Sequence, residues 1–298
     1  MISGHRILVT GAGGFIGRHI VERARLKGCN VVAAYRGEPT RGAISLDVCD
    51  DSSVDLAFRQ VRPEITIHCA SYGVNYADQD PDRAIAVNIH GALRVLSAAA
   101  YCGSRLFLHL GSCFEYGSRD GRISEDAPLN PTAIYGATKA AATLLIRERA
   151  RALGIALIVA RPFGTWGPGE GAHRLIPQVV DACVNHRALE LTSCDVLRDY
   201  TYVEDMADRI VALALAPIVP ELAVVNIGSG EGIVLRDFVL AVARCLGGEA
   251  LMHFGKLAQR PTEMASLVAD SRLLRNVLGE LPKTALSEGV RRMVTQCR

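Results

Sequence analysis

The stretch HRILVTGAGGFIGRHIVERARLKGCNVVAAYR, residues 5–36, holds two short apolar runs with an amphipathic segment between them. The runs, 6–11 and 30–36, are nearly continuous in apolar side chains, as expected of strands covered on both faces in a parallel sheet. Residues 15–27 between them have helical spacing, and Gly28 closes that helix. Gly11, Gly14 and Gly17 fall where the first strand turns into the helix. In that setting the first glycine makes the tight turn and the second lets backbone approach a diphosphate. The third lets helix and strand pack closely, with the helix N-terminus facing the phosphates. Phe15 and Ile16 fall between the second and third of these glycines.

Outward from this unit the alternation continues. Apolar runs at 64–70, 105–112 and 155–163 are separated by helix candidates at 81–102 and 135–153. Such alternation predicts a Rossmann-type, doubly wound α/β fold around a parallel sheet. The character changes at GTWGPGEGAHR, residues 164–174, a glycine-rich loop with the only tryptophan. The division this implies is a nucleotide-binding domain over 1–165 and a smaller, mainly helical substrate lobe over 166–298. A strand pair is expected near 188–193 and 223–230, with segments around 188–228 interleaving with the first domain. A cleft between the two is a usual place for a small-molecule site.

Composition narrows the function. A chain of 298 residues is long enough for a large α/β domain and a second lobe. A net charge of +2 gives no general attraction to nucleic acid or to an anionic membrane. The nine cysteines are scattered, without metal-ligand spacing, so no metal site is expected. The sequence runs directly into a strand without a signal peptide, and no apolar run reaches a membrane-spanning length. A cytoplasmic enzyme without membrane or nucleic-acid partners is the expectation.

The end of the second strand bears on the cofactor. An acidic side chain there accepts from the ribose 2′-hydroxyl of NAD, whereas a basic one accommodates the 2′-phosphate of NADP. Arg36 stands at that end, with Arg41 near it and Glu38 two residues beyond. This favours NADP(H), with NAD(H) as the alternative. Farther on, Tyr135 and Lys139 are four residues apart in a helical stretch, although the chain has only four lysines. Positions i and i+4 share a helix face, and that spacing fits a solvated surface pair as well as a working one.

Together these motifs resemble the extended short-chain dehydrogenase/reductases, in the branch of nucleotide-sugar epimerases, dehydratases and reductases. The likeness spans nearly the whole chain. It rests on the glycine loop (11–17), LDVCD (46–50), HCAS (68–71), VNIHGALRVL (87–96) and GSCFEYG (111–117). It continues through YGATK (135–139), ARPFGTWGPGE (160–170), RDYTYVEDMA (198–207), NIGSG (226–230) and RPTEMASLVADSRLLRNVLG (260–279). The resemblance implies a triad of Ser112, Tyr135 and Lys139, with Tyr135 as acid/base. It places Asp47 and Val48 at adenine, Ala70 along the cofactor cleft, and Pro162 and Phe163 under the nicotinamide. Arg198 and Arg260 match arginines that hold a nucleotide-sugar's diphosphate, and His173 and Arg174 lie in the stretch lining it. Asn88 matches a buried structural asparagine.

The branch also implies a homodimer through the helices at 81–102 and 135–153. Dehydratases of the branch carry an Asp-Glu pair directly after the triad serine or threonine, where this chain has Cys113 and Phe114. Glu115 is one position late and departs from the usual valine. The expected activity is therefore NADPH-dependent reduction of a nucleotide-linked 4-keto-6-deoxyhexose, in the manner of the 4-ketoreductases. An NAD-dependent nucleotide-hexose 4-epimerase is the alternative, and a non-catalytic NADP-binding sensor a third reading.

Overall fold

A computed structural model describes every residue except 1–3, 39–41, 76–77, 79, 218–221, 260–262, 281 and 297–298. The chain begins with β1 (Arg6–Thr10), α1 (Phe15–Leu26), β2 (Asn30–Tyr35) and β3 (Ala43–Ser45), then α2 (Asp51–Val61) and β4 (Ile65–His68). One long helix follows in three parts: α3 (Pro81–Ile85), a π-helical stretch (Ala86–Gly91) and α4 (Ala92–Tyr101). Next come β5 (Leu106–Leu110), β6 (Arg122–Ile123), α5 (Ile134–Leu153), β7 (Ala156–Pro162) and β8 (Gly164–Trp166). The rest comprises α6 (Leu175–Val184), β9 (Leu189–Glu190), β10 (Leu197–Tyr202), α7 (Val203–Leu215) and β11 (Leu222–Ile227). It ends with β12 (Gly232–Val234), α8 (Leu235–Arg244), β13 (Met252–His253), β14 (Ser266–Ala269), α9 (Arg272–Leu278) and α10 (Leu286–Gln296).

Seven parallel strands form the main sheet in the order β11-β7-β5-β4-β1-β2-β3. Every residue of β4 and β5 is buried, which is why these strands read as unbroken apolar runs. Ile7, Val9, Ile67 and Leu108 pack toward α1 and α7, while Leu8, Phe107, Leu157 and Val159 pack toward α2, α4 and α5. Each such side chain stabilises the fold by roughly 1.5–3 kcal/mol. The strand order reverses between β1 and β4, the position at which doubly wound sheets open a crevice beyond their carboxyl ends.

The later part of the chain contributes to both layers. Helix α7 lies along α1, β11 forms the edge of the main sheet, and α9 packs on both. Helices α6, α8 and α10 share a separate core around Trp166, Val179, Val239 and Val290. Beside them β12-β10-β14-β6 form a small sheet that β8 joins through β10. The strands near 188–193 and 223–230 are present, but they do not pair with each other. Strand β9 pairs with β13 and β11 with β7. Both pairings join segments distant in sequence, which local pattern cannot specify.

The expectation that no apolar run reaches a spanning length needs correction. The helix over Pro81–Tyr101 has 21 residues and a mean hydropathy of 1.2, enough by length and composition. Its Ala84, Ala92, Val95, Leu96 and Ala99 are buried, whereas Arg83 and His90 are exposed. Those alanines and leucines supply one wall of the core.

Gly11 is held at φ +67°, and a Cβ there would lie 2.6 Å from the Ala70 nitrogen. A left-handed backbone strains any other residue by about 1–3 kcal/mol, and the neighbour it meets is rigid main chain. Gly11→Ala is therefore expected to lower stability by about 2–4 kcal/mol, read as a drop in the urea midpoint with unchanged slope.

Candidate active site

The carboxyl ends of the main strands gather the residues singled out in the sequence. At β1 the chain turns at Gly11, whose carbonyl accepts from the Gly14 N–H at 2.9 Å. Helix α1 begins with Phe15 and Ile16, and a Cβ on Gly17 would come within 2.3 Å of the Gly11 oxygen. No side chain caps α1 at Gly14, and its first turn has no acidic residue. Its leading N–H groups and the positive end of its dipole therefore face the crevice, a donor set that fits a dinucleotide's diphosphate.

Arg36 follows β2 and is exposed. Asp47 and Val48 follow β3. The Asp47 carboxylate accepts from the Cys49 N–H at 2.9 Å, while Asp50 caps α2 through the N–H groups of Ser52 and Ser53. Val48 packs so closely on Gly91 that a Cβ there would meet it at 2.8 Å. Ala70 follows β4 across from Gly11. Pro162 ends β7, and the buried Phe163 donates its N–H to the Ile227 carbonyl at 2.9 Å.

Ser112 lies just beyond β5. It caps a short 3₁₀ turn over Cys113–Glu115, its Oγ accepting from the Phe114 N–H at 3.2 Å. Helix α5 starts at Ile134, placing Tyr135 in its first turn and Lys139 one turn later. A Cβ on Gly136 would fall 2.5 Å from the Phe114 oxygen, so the helix start presses directly on the serine turn. The Tyr135 and Phe114 rings meet edge to face at 6.0 Å.

Asn88, in the π-helical stretch, fixes this arrangement from behind. Its Oδ1 accepts from the Tyr72 N–H at 2.8 Å, and its Nδ2 donates to the Tyr72 carbonyl and to Thr138 Oγ1, each at 2.9 Å. Thr138 in turn donates to the Tyr135 carbonyl at 3.0 Å. The turn carrying Tyr135 and Lys139 is thereby tied to the loop after β4.

Burial pushes the Tyr135 phenol up to about 12, while a hydrogen bond with the Ser112 hydroxyl draws it back. Lys139 is 2 % exposed, and burial brings its ammonium down to about 8. Its Nζ donates to the Leu110 carbonyl and to His109 Nε2, the latter at 3.4 Å. Burial holds His109 well below its ordinary value, so it accepts as a neutral ring. The ammonium is thus turned to the end of β5, and it is Ser112 and, more weakly, Arg174 that lower the phenol.

In the small sheet, Arg198 on β10 donates to the Leu197 carbonyl at 2.9 Å and pairs with Glu263. A diphosphate taken there would share the guanidinium with Glu263. His173 and Arg174 precede α6 and are exposed, and Arg174 Nε donates to Glu170 at 3.4 Å. The fields of Arg174 and Arg198 both reach Tyr200. Arg260 lies outside the described residues.

Two features were not read from the sequence. Burial lifts the Glu170 carboxyl to about 7, with Arg174 opposing; the only outward sign is an acid inside a glycine-proline loop. Glu115 is buried against Arg161, and its apolar surroundings in GSCFEYG were the available signal. Among the described residues, no group of three or more His, Cys, Asp or Glu is placed to hold a metal ion.

A family model described as the NAD dependent epimerase/dehydratase family matches residues 7–228. The probable UDP-glucuronate 4-epimerase of Rhizobium meliloti is 26% identical over 328 residues, covering 97% of this chain and 96% of that one. The dTDP-4-dehydrorhamnose reductase of Streptomyces griseus is 30% identical over 215 residues, covering 72% of this chain and 66% of that one. Among solved structures, Thermus thermophilus UDP-glucose 4-epimerase in complex with NAD superposes with a TM-score of 0.86. It is 28% identical, with 98% of each chain covered.

Proposed function

The chain belongs to the NAD dependent epimerase/dehydratase family, whose members are NAD(P)-dependent enzymes acting on nucleotide sugars, and we propose that it is a 4-ketoreductase. Its substrate in this reading is a nucleotide-linked 4-keto-6-deoxyhexose and its cofactor NADPH. The observation that carries the reading is a single proton donor, Tyr135, on a helix start pressed against the Ser112 turn, with no second acid or base at Cys113 or Phe114. A phenol near 12 is protonated at neutral pH, which is the state a ketone reduction needs. Elimination of water would require a further acid and base beside Ser112, and the side chains there are a thiol and a benzyl group. Likeness to dTDP-4-dehydrorhamnose reductase supports the same direction.

The residues divide the work as follows. The bound cofactor supplies hydride to the ketone carbon. Ser112 holds the ketone oxygen, and Tyr135 donates its phenolic proton to that oxygen, so that the ketone becomes an alcohol. Lys139 holds the nicotinamide ribose. Tyr135 then recovers a proton from solvent. The α1 N-terminus with Gly11, Gly14, Phe15, Ile16 and Gly17 takes the diphosphate of the cofactor, and Arg36 its 2′-phosphate. Asp47 and Val48 meet adenine, and Ala70, Pro162 and Phe163 wall the cleft. Arg198 and Arg260 take the diphosphate of the nucleotide sugar, with His173 and Arg174 alongside. A homodimer through the helices at 81–101 and α5 would cover Leu144 and Leu145, which are exposed.

The second reading, an NAD-dependent nucleotide-hexose 4-epimerase, is favoured by the likeness to an epimerase solved with NAD. The two differ in how they keep their cofactor. A reductase exchanges it every turnover, whereas an epimerase retains and reuses it. The protein is therefore expected to leave purification without stoichiometric NAD, identified after denaturation, and to bind NADPH about 10- to 100-fold more tightly than NADH. Arg36→Glu is expected to erase that preference. Stoichiometric NAD released from the protein would instead support the epimerase.

A further inference from the structure

Glu115 lies directly beneath Ser112 and is fully buried, at 0 % exposure. Each oxygen of its carboxylate is engaged. Oε1 accepts the Ser112 N–H at 2.8 Å. Oε2 accepts from Arg161 Nε at 2.9 Å and Nη2 at 2.8 Å, and Arg161 is itself 3 % exposed. With Ser112 Oγ accepting from the turn, the two residues form a reciprocal capping box.

The surroundings are built for this carboxylate. A Cβ on Gly111 would sit 2.5 Å from Glu115 Oε1, so the residue before the serine has to be glycine for the acid to fit. Arg161 also donates to the Tyr116 hydroxyl at 2.7 Å, which donates to Asn226 Oδ1 at 2.8 Å. Arg161 is on β7, next to Pro162, and Asn226 is on β11. Burying an ion pair is unfavourable unless its geometry is good and its remaining hydrogen bonds are met, and here the serine amide, the guanidinium and the Tyr116 hydroxyl meet them.

We propose that Glu115, held by Arg161, is the positioning residue for Ser112: it fixes the backbone of the serine and so sets where its hydroxyl stands against Tyr135 and the ketone oxygen. Through Arg161 the same carboxylate ties the serine turn to the end of β7 that walls the cofactor cleft. Glu115 is thus not a displaced acid of a dehydratase, because its oxygens are spent on the serine amide and on a guanidinium. The kinetic consequence rests on the ketoreductase reading above, whereas the anchoring does not.

The test uses the full-length protein with Glu115→Gln, and with the double variant Glu115→Met/Arg161→Met, which removes both charges together. Glu115→Gln is expected to lower kcat about 10- to 100-fold and to leave KM for the nucleotide sugar within about threefold. In a Ser112→Ala background the same change is expected to lower kcat by less than about twofold, since its effect passes through the serine. Hydrogen exchange of the Ser112 amide is expected to quicken about tenfold or more in the double variant, with the Gly111 amide unchanged. Undiminished loss in the Ser112→Ala background, full activity of the double variant, or an unchanged Ser112 amide would each overturn the proposal. The exchange measurement needs no substrate. If the wild type reduces no nucleotide-linked ketosugar, the ketoreductase reading falls, and the Ser112 amide alone decides whether Glu115 anchors the serine.

Discussion

Tyr135→Phe is expected to lower kcat about 10²- to 10⁴-fold while leaving the affinity for NADPH unchanged. The substitution removes one oxygen and its proton. The ring keeps its contact with Phe114, and the main-chain bond from Thr138 to the Tyr135 carbonyl is untouched. Ketone reduction without a proton donor must form an alkoxide, and Glu115, the acid beneath Ser112, has its oxygens engaged by the Ser112 amide and Arg161. Because burial keeps the phenol near 12, its own ionisation leaves the wild-type reductive rate level through neutral pH. Single-turnover loss of reduced-nicotinamide absorbance, compared between wild type and variant at equal saturation, measures the effect.

Lys139→Met should separate activity from stability. The lysine is buried with its ammonium on the Leu110 carbonyl and near His109. Its folded value near 8 lies below the ordinary 10.5 of a lysine, so between these pH values the unfolded chain holds the extra proton. Wild-type stability therefore gains from this group as pH rises from about 8 to 10.5. Below that window both states are charged, and the buried ammonium is a net destabiliser. At pH 7 the variant is expected to be more stable by about 1–3 kcal/mol, after the lost hydrogen bond is counted. That advantage should shrink as pH approaches 10.5. Its kcat is expected to fall about 10²-fold or more, because the charged group that holds the nicotinamide ribose is gone. The wild-type rate should decline above about pH 8 as the ammonium deprotonates, and this limb should vanish in the variant. Urea midpoints across pH, paired with kcat–pH profiles, check both halves.

Much of this was readable in the sequence wherever one residue type has one physical job. The glycines of the first loop mark a left-handed turn at Gly11 and a helix packed hard against a strand at Gly17. Unbroken apolar runs gave the central strands because both faces of the sheet are covered. Features set by tertiary contacts were out of reach. In the π-helical stretch Asn88 bonds to the Tyr72 backbone and to Thr138, partners 16 and 50 residues away in the chain.

GSCFEYG looks like the tail of a strand, yet Ser112 caps it into a 3₁₀ turn and so points Glu115 under the serine. Spacing put Tyr135 and Lys139 on one face but said nothing about the carbonyl that claims the lysine. The strands β9 and β13 pair over only two residues each, too short for any pattern to show which segment meets which.

The most direct measurement of the central claim follows absorbance at the reduced-nicotinamide band. The purified protein is mixed with NADPH and nucleotide-linked 4-keto-6-deoxyhexoses freshly made by a dehydratase. A 4-ketoreductase should consume NADPH in stoichiometric proportion to one such ketosugar, and Tyr135→Phe should abolish the consumption. No consumption with any of them, together with interconversion of an ordinary nucleotide-hexose pair by protein that carries its own NAD, would contradict it.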